Sequence, residues 1–224
     1  MAETAVKEVK EPLFGKKERK LITDPLNDNN PITVQVLGIC SALAVTSVVV
    51  PSVVISIAVV FVCAFSSLFT SLLRNHIPKS VRMIVQLVII AFLVTIVELT
   101  LKAANYPIYK QLSVYIGLII TNCIVMGRLE AFAMANKPWR SFVDGIGNGL
   151  GYAGVLILVA VIRELFGKGS LAGYKILGPT SDFMITIPGY QLNNLMVLPA
   201  AAMFVIGVLI WVQRSYNPKL VDVS

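Results

Sequence analysis

The sequence predicts an all-α, polytopic membrane protein. Of its 224 residues, 56% are apolar and 14% are charged, and the mean hydropathy is +0.79. A soluble domain would carry about 25% charged residues. Long windows rich in Val, Ile, Leu and Ala alternate with short polar loops, a pattern typical of helices that cross a lipid bilayer. Because the loops leave no room for a soluble catalytic domain, any chemistry is expected within the membrane or with partner proteins.

Hydropathy divides the chain into six predicted transmembrane spans, two of which are interrupted. A helix needs about 20 residues to cross the bilayer. The predicted spans lie at 34–50, 52–73, 83–101, 112–127, 147–166 and 195–212. The first span contains Gly38 and stops at Pro51, and the fourth contains Asn122 and stops at Gly127. These two spans are therefore predicted to be short and broken.

The interrupted spans occupy corresponding positions if the six spans form two halves of three. An odd number of spans turns the second half upside down relative to the first. Short or glycine-interrupted segments at matching positions of two halves indicate a site near the middle of the membrane. We therefore predict a 3+3 inverted repeat with broken first and fourth helices.

Lys and Arg are distributed unevenly between the two sides of the predicted helices. With a cytoplasmic N-terminus, fourteen of the nineteen lie on the cytoplasmic side and five on the other, which favours two cytoplasmic termini. The predicted domains are a basic N-terminal tail (1–30), a six-helix transmembrane domain (31–214) and a C-terminal tail (215–224). The basic tail lacks a signal-peptide cleavage site and the interleaved aromatic residues of a nucleic-acid-binding segment. We expect it to contact anionic lipid and not nucleic acid.

Three cysteines lie in apolar segments, and two of them stand at matching places in the broken spans. At a rise of about 1.5 Å per residue, Cys40 lies about 9 Å below the cytoplasmic surface and Cys123 about 15 Å below the opposite one. In a hydrocarbon core of about 30 Å, the two buried thiols are expected at similar depth. Cys63 lies in an unbroken span and is interpreted as a packing residue.

The thiols of Cys40 and Cys123 have several possible interpretations. Free cysteine commonly packs as a small hydrophobic residue, and a disulfide is disfavoured in a reduced, buried site. Soft thiolates also bind zinc, copper(I) and iron–sulfur clusters. Since an iron–sulfur cluster usually takes four cysteines, two from one chain would form half of a site that a partner completes.

Four blocks of the sequence resemble the D subunit of bacterial sodium-translocating NADH:quinone reductases, in the Nqr/Rnf family of membrane subunits. The blocks are NPITVQVLGICSALAVT (30–46), SLLRNHIPKSVRMIVQ (71–86), KQLSVYIGLIITNCIVMGRLEAFAM (110–134) and SFVDGIGNGLGYAGVLI (141–157). The resemblance covers residues 29–214. Cys40 is followed by Ser41, where the related ferredoxin:NAD oxidoreductase branch is expected to have proline.

The resemblance implies a fold, a cofactor and partners for a non-autonomous enzyme subunit. It implies six spans with an inverted repeat, pairing with a homologous membrane protein (the E subunit), and a shared intramembrane [2Fe–2S] cluster. Each of the two homologues contributes one cysteine from its first and one from its fourth span, which on this chain are Cys40 and Cys123. The implied function is electron relay during sodium pumping in a bacterial inner-membrane complex that also contains A, B, C and F subunits. No catalytic residue, flavin or nucleotide is expected on this chain itself.

Two alternative functions remain open. The chain could be the corresponding subunit of the ferredoxin:NAD oxidoreductase complex. It could also be a small secondary transporter whose broken spans hold a substrate. A transporter would work alone and carry no iron.

Glycines in the fifth predicted span have a structural interpretation. The motif GIGNGLGYAG (145–154) follows no predicted strand and is not spaced as a nucleotide-binding loop. We expect Gly147, Gly151 and Gly154, at i, i+4 and i+7, to allow close helix packing.

Charged residues near the span ends are interpreted as ion pairs. Glu98 with Lys102, one turn apart, and Arg163 with Glu164 are each expected to form a pair that reaches the membrane surface. A role in sodium movement is a weaker alternative for either pair. His76 is expected to be a loop or partner-contact residue.

Overall fold

The computed structural model is predominantly helical in the part of the chain that it describes. The described residues are 21–26, 29–78, 80–104, 106–168, 170–171, 174–175, 196 and 198–216. The α-helices are α1 (Ile39–Val45), α2 (Val49–Leu73), α3 (Arg82–Ala104), α4 (Tyr106–Ile120), α5 (Cys123–Arg128), α6 (Pro138–Lys168) and α7 (Pro199–Tyr216). A short π-helix covers Leu129–Ala133, a 3₁₀ turn covers Asp24–Leu26, and the two-residue strands β1 (Ser170–Leu171) and β2 (Tyr174–Lys175) pair antiparallel.

Five helical segments among the described residues are long and apolar enough to cross a membrane. They are Val49–Leu73, Arg82–Ala104, Leu112–Ala133, Pro138–Gly167 and Pro199–Tyr216. They correspond to the second to sixth predicted spans. The helix of the fifth predicted span begins earlier than expected, at Pro138 rather than 147, and Ser141 and Asp144 in this extension are buried inside the protein.

The first predicted span contributes a much shorter helix than 34–50. Helix α1 has seven residues and is about 10 Å long, well short of the roughly 30 Å hydrocarbon core. Val36 and Gly38, just before it, have positive φ angles of 57° and 81°. A right-handed helix cannot pass through left-handed backbone. The residues before α1 therefore form turns, and the segment is not a full-length helix.

The fourth predicted span is also interrupted. Helix α4 ends at Ile120 and α5 begins at Cys123. Asn122, between them, is extended (φ −68°, ψ 118°), and its side chain accepts a hydrogen bond from the Ile124 N–H at 3.3 Å. Because an asparagine in this conformation caps a helix N-terminus, α5 starts as a new helix. It runs directly into the π-helix.

Helices α2 and α6 form the most extensive helix–helix contact of the described residues. Glycines on α6 permit it. A Cβ at Gly145 would lie 2.7 Å from the Cys63 carbonyl oxygen, and one at Gly149 would lie 2.9 Å from the Val60 Cα. Both contacts are with the backbone of α2, so no side chain could relieve them by moving.

A second set of glycines on α6 contacts the segment that precedes α1. A Cβ at Gly147 or Gly151 would lie 2.6 Å and 2.5 Å from the carbonyl oxygens of Leu21 and Pro25. The close-packing interpretation of these two glycines is confirmed. For Gly154 it is wrong, because no atom of another element in the described part of the chain lies within 4 Å of its Cβ position.

Gly145→Ala is expected to destabilise the protein, whereas Gly154→Ala is expected to be neutral or slightly stabilising. The first substitution forces α2 and α6 apart, and overpacking of this kind costs about 1–3 kcal/mol. The second adds helix propensity in open space. Thermal unfolding of both variants in detergent would test this. Equal melting temperatures would contradict the close contact.

Several predicted segments lie wholly or partly outside the described residues. These are most of the N-terminal tail, the greater part of the predicted outer loop 167–194, and the C-terminal tail beyond Tyr216. The described end of the N-terminal tail packs on α6 through the Gly147 and Gly151 contacts. Asn30 also donates its Nδ2–H to the Gly151 carbonyl at 3.2 Å.

Candidate cysteine site at two interrupted helices

Cys40 and Cys123 each lie in the first turn of a short helix. Cys40 is the second residue of α1, and Cys123 is the first residue of α5. Both cysteines therefore lie directly beside the breaks in the backbone, Cys40 two residues after Gly38 and Cys123 one residue after Asn122.

The two interrupted segments meet at Gly38. Its backbone N–H donates a hydrogen bond to the Cys123 Sγ at 2.9 Å, across 85 residues of sequence. The Cβ position of Gly38 lies 3.6 Å from the Asn122 Oδ1. Since Cys40 follows Gly38 by two residues, the structure brings the N-terminus of α1 and the N-terminus of α5 together at one place.

Helix α6 supports this junction from the interior. The Tyr152 side chain is fully buried, and its hydroxyl lies 2.8 Å from the Ser41 Oγ. Ser41 donates to the Gly38 carbonyl at 2.9 Å. No spacing in the sequence pointed to Tyr152, because it reaches Ser41 from 111 residues away.

The exposure of the three thiols differs from the expectation in one respect. Cys40 and Cys123 are free and exposed on the surface of this chain, whereas they were expected to be buried. The expectation followed from depth in the membrane, which does not decide whether a side chain faces the inside of the chain or its outside. Cys63 is fully buried in the hydrophobic core, so its interpretation as a packing residue is confirmed.

The donor set around the two thiols suits a shared soft-metal site. Among the described residues, no group of three or more His, Cys, Asp or Glu side chains could hold a metal ion. Two exposed thiols with a backbone N–H at one sulfur fit half of a four-thiolate iron–sulfur site. The other half would have to come from a second polypeptide.

Arg163 and Glu164 are buried, so their interpretation as an ion pair reaching the membrane surface is wrong. Glu164 accepts a hydrogen bond from the Val49 N–H, at the start of α2, at 2.6 Å. Arg163 donates to the Thr46 Oγ1 at 2.5 Å and to the Leu43 carbonyl at 3.4 Å, both at the end of α1. The two side chains thus cap the helix ends on either side of the α1–α2 turn.

The predicted direct ion pair between Glu98 and Lys102 is wrong, because both side chains contact Tyr109 instead. The Tyr109 hydroxyl donates to the Glu98 Oε1 at 2.8 Å, and the Lys102 Nζ lies 5.8 Å from the centre of the Tyr109 ring. The hydrogen bond to Glu98 raises the pKa of the Tyr109 phenol above its ordinary value. Tyr109, which the sequence interpretation did not include, therefore takes the place of the direct contact between the two side chains.

A further buried charge pair was not predicted from the sequence. Arg128, at the end of α5, forms a salt bridge with Asp144 of α6, with the Nε at 3.0 Å from Oδ2. Asn148 donates to the same carboxylate at 3.1 Å. An aspartate within an apolar helix was the available signal.

His76 is exposed in the α2–α3 loop, as expected.

Comparison with known proteins gives one consistent family. The family described as "Rnf-Nqr subunit, membrane protein" matches residues 19–210. The relatives include the D subunit of the Na(+)-translocating NADH-quinone reductase of Shewanella baltica, with 56% identity over 93% of this chain and 97% of the relative. The proteins of the same name from Shewanella halifaxensis and Shewanella oneidensis are 56% and 55% identical over the same shares.

The fold and the site together define a class: a multi-pass helical membrane protein with two exposed thiols at the junction of two interrupted segments. Within that class, the family match extends over most of the chain and includes both cysteine segments. This chain belongs to the Rnf-Nqr family of membrane subunits.

Proposed function

We propose that this chain is a membrane subunit of a Na⁺-translocating NADH:quinone reductase and provides half of an intramembrane [2Fe–2S] site. The single observation that carries the site is the hydrogen bond from Gly38 to the Cys123 sulfur, which joins the two cysteine-bearing segments, each with an exposed thiol. The names of the relatives support the complex and favour it over the ferredoxin:NAD oxidoreductase.

In this proposal the chain holds a cofactor and contains no catalytic residue. Cys40 and Cys123 would ligate iron, and the homologous E subunit would supply the other two thiolates. When bound, the cluster supplies reversible one-electron transfer between redox subunits. This chain contributes two thiolates at helix N-termini and a backbone N–H at one of them. The A, B, C and F subunits would complete the complex, with flavin and nucleotide bound elsewhere.

We further propose that the fold is a 3+3 inverted repeat in which α1 and α5 are half-helices. Two contacts support this arrangement. Arg74, after α2, donates to the Asn136 carbonyl beyond the second interrupted segment at 2.8 Å. Arg163, near the end of α6, donates to the Leu43 carbonyl in the first. An arginine at or near the end of the second helix of each half thus hydrogen-bonds backbone that follows the cysteine of the other half, which supports the proposed repeat.

A reporter fused to either terminus is expected to read as cytoplasmic, and one in the 167–194 loop as external. The reason is the excess of Lys and Arg, fourteen against five, on the proposed cytoplasmic side. Fusions that report only on one side of the inner membrane would measure this. An external signal at one terminus and a cytoplasmic signal at the other would show an odd number of crossings and contradict the repeat.

The chain co-purified with its homologous partner is expected to contain iron and sulfide, whereas the chain expressed alone is expected to contain neither and to accumulate poorly. Two thiolates cannot complete cluster ligation, and metal binding is then coupled to assembly. Metal analysis and membrane-resident protein would be measured for both preparations. An iron-replete lone chain would contradict the half-site. A stable, iron-free chain that transports a solute by itself would support the transporter alternative.

A further inference from the structure

A continuous hydrogen-bond network connects the Cys123 sulfur to the interior of α6. It runs from the Tyr152 hydroxyl to the Ser41 Oγ at 2.8 Å, and from Ser41 to the Gly38 carbonyl at 2.9 Å. On the other side of the same Cα, the Gly38 N–H reaches the Cys123 Sγ at 2.9 Å. Both backbone polar groups of Gly38 are therefore hydrogen-bonded, the N–H to Cys123 and the carbonyl to Ser41.

The backbone at Gly38 can adopt this geometry only as glycine. Its φ is 81°, in the left-handed region that L side chains rarely occupy. A Cβ would also lie 2.9 Å from the Cε2 and 3.3 Å from the Cδ2 of the Tyr152 ring. The ring therefore packs directly beneath Gly38, while its hydroxyl orients Ser41. Tyr152 acts on the Gly38 backbone directly through its ring contact and indirectly through its hydrogen bond with Ser41.

The two cysteines are not equivalent in this network. Within the described residues, Cys123 accepts a backbone N–H bond, whereas no hydrogen bond to the Cys40 thiol is present. Hydrogen bonds to the sulfurs are one of the factors that determine the reduction potential of an iron–sulfur cluster. An N–H dipole aimed at a sulfur stabilises added negative charge, so it favours the reduced state.

We propose that Tyr152 and Ser41 are positioning residues that hold the Gly38 N–H against the Cys123 sulfur and thereby raise the reduction potential of the bound cluster. The inference rests on the proposed function, since it requires Cys123 to be a cluster ligand. The cluster is not needed to form the network, which involves this chain's residues alone. The effect acts at the Cys123 side of the site, where the hydrogen bond lies.

The test is the midpoint potential of the cluster in the purified complex that carries Tyr152→Phe or Ser41→Ala. Tyr152→Phe keeps the ring beneath Gly38 and removes only the hydroxyl. Both variants are expected to retain iron and sulfide and to shift the potential to more negative values. Tyr109→Phe, the same chemical change at the Glu98 hydrogen bond, is the matched control and is expected to leave the potential unchanged. A wild-type potential in both variants, with full cluster content, would overturn the proposal.

A second measurement keeps the proposal testable if the variants do not assemble. The wild-type complex, labelled with ¹⁵N-glycine, is reduced and studied by pulsed EPR. A weak ¹⁵N coupling from a glycine nitrogen is expected, and it should weaken in Tyr152→Phe where that variant assembles. Its absence from the wild-type spectrum would overturn the proposal. Failure of the proposed function is distinguishable, because it would appear as a cluster that survives Cys123→Ala.

Discussion

Cys40→Ala and Cys123→Ala are each expected to remove the intramembrane cluster and to reduce NADH-driven quinone reduction by the assembled complex to background. Each thiolate would be one of four ligands, and an iron–sulfur cluster that loses a cysteine ligand is not retained in its native form. Both thiols are exposed at the junction of α1 and α5, so their removal leaves no cavity in the core of this chain. EPR of the reduced complex and its iron content would measure the loss.

Cys63→Ala is the matched control for these variants. Its thiol is fully buried in the hydrophobic core, and its removal is expected to cost a little stability without changing the cluster spectrum. The comparison separates ligand loss from general damage, because the same atoms are deleted in all three variants. A cluster that disappears in Cys63→Ala but persists in Cys123→Ala would show that the ligands are assigned wrongly.

Arg163→Ala is expected to lower the stability of the protein by about 1–3 kcal/mol. Its guanidinium donates to the Thr46 Oγ1 and to the carbonyls of Leu43 and Leu198, and so joins α1 and α7 to the end of α6. The contact with Thr46 is buried, and a buried acceptor that loses its donor costs about 1–3 kcal/mol. In a chain of this size, the melting temperature should fall by roughly 2–12 °C.

Thermal unfolding of the purified complex in detergent, together with the amount of membrane-resident protein, would measure this effect. Arg214→Ala removes an exposed arginine at the end of α7 and is the matched control, for which little change is expected. An Arg163→Ala variant with the melting temperature of the wild type would show that the α1–α6–α7 junction does not depend on this side chain.

The sequence predicted the long helices well where the apolar runs are uninterrupted. The predicted spans 52–73 and 83–101 correspond to α2 and α3, with ends that differ by three residues or fewer. Hydropathy succeeds here because it sums the free energy of transferring each residue from water to lipid, and that sum does not depend on which residues are neighbours in space. The packing role of Gly147 and Gly151 also followed from their spacing, but the same spacing wrongly included Gly154 and did not indicate Gly145 and Gly149, which contact α2.

Predictions failed where a polar side chain has a distant partner. Arg163 and Glu164 were expected to reach the membrane surface because charges are costly inside a bilayer. In the structure, both side chains lie at the α1–α2 turn. The Val49 N–H at the start of α2 donates to Glu164, and the Leu43 carbonyl near the end of α1 accepts from Arg163. The sequence shows the charges but not the helix ends that satisfy them.

The sequence by itself determined that this protein is a multi-pass helical membrane protein, and it predicted that Cys40 and Cys123 lie in interrupted spans. Only the tertiary structure decided that Gly38 reaches the Cys123 sulfur, that Tyr152 lies beneath Gly38, and that both ligand candidates face outward from the chain. The physical reason is the range of the interactions. Composition and glycine spacing act within one helix or on the surrounding lipid, whereas these hydrogen bonds join residues 85 and 111 positions apart and depend on how α1, α5 and α6 pack.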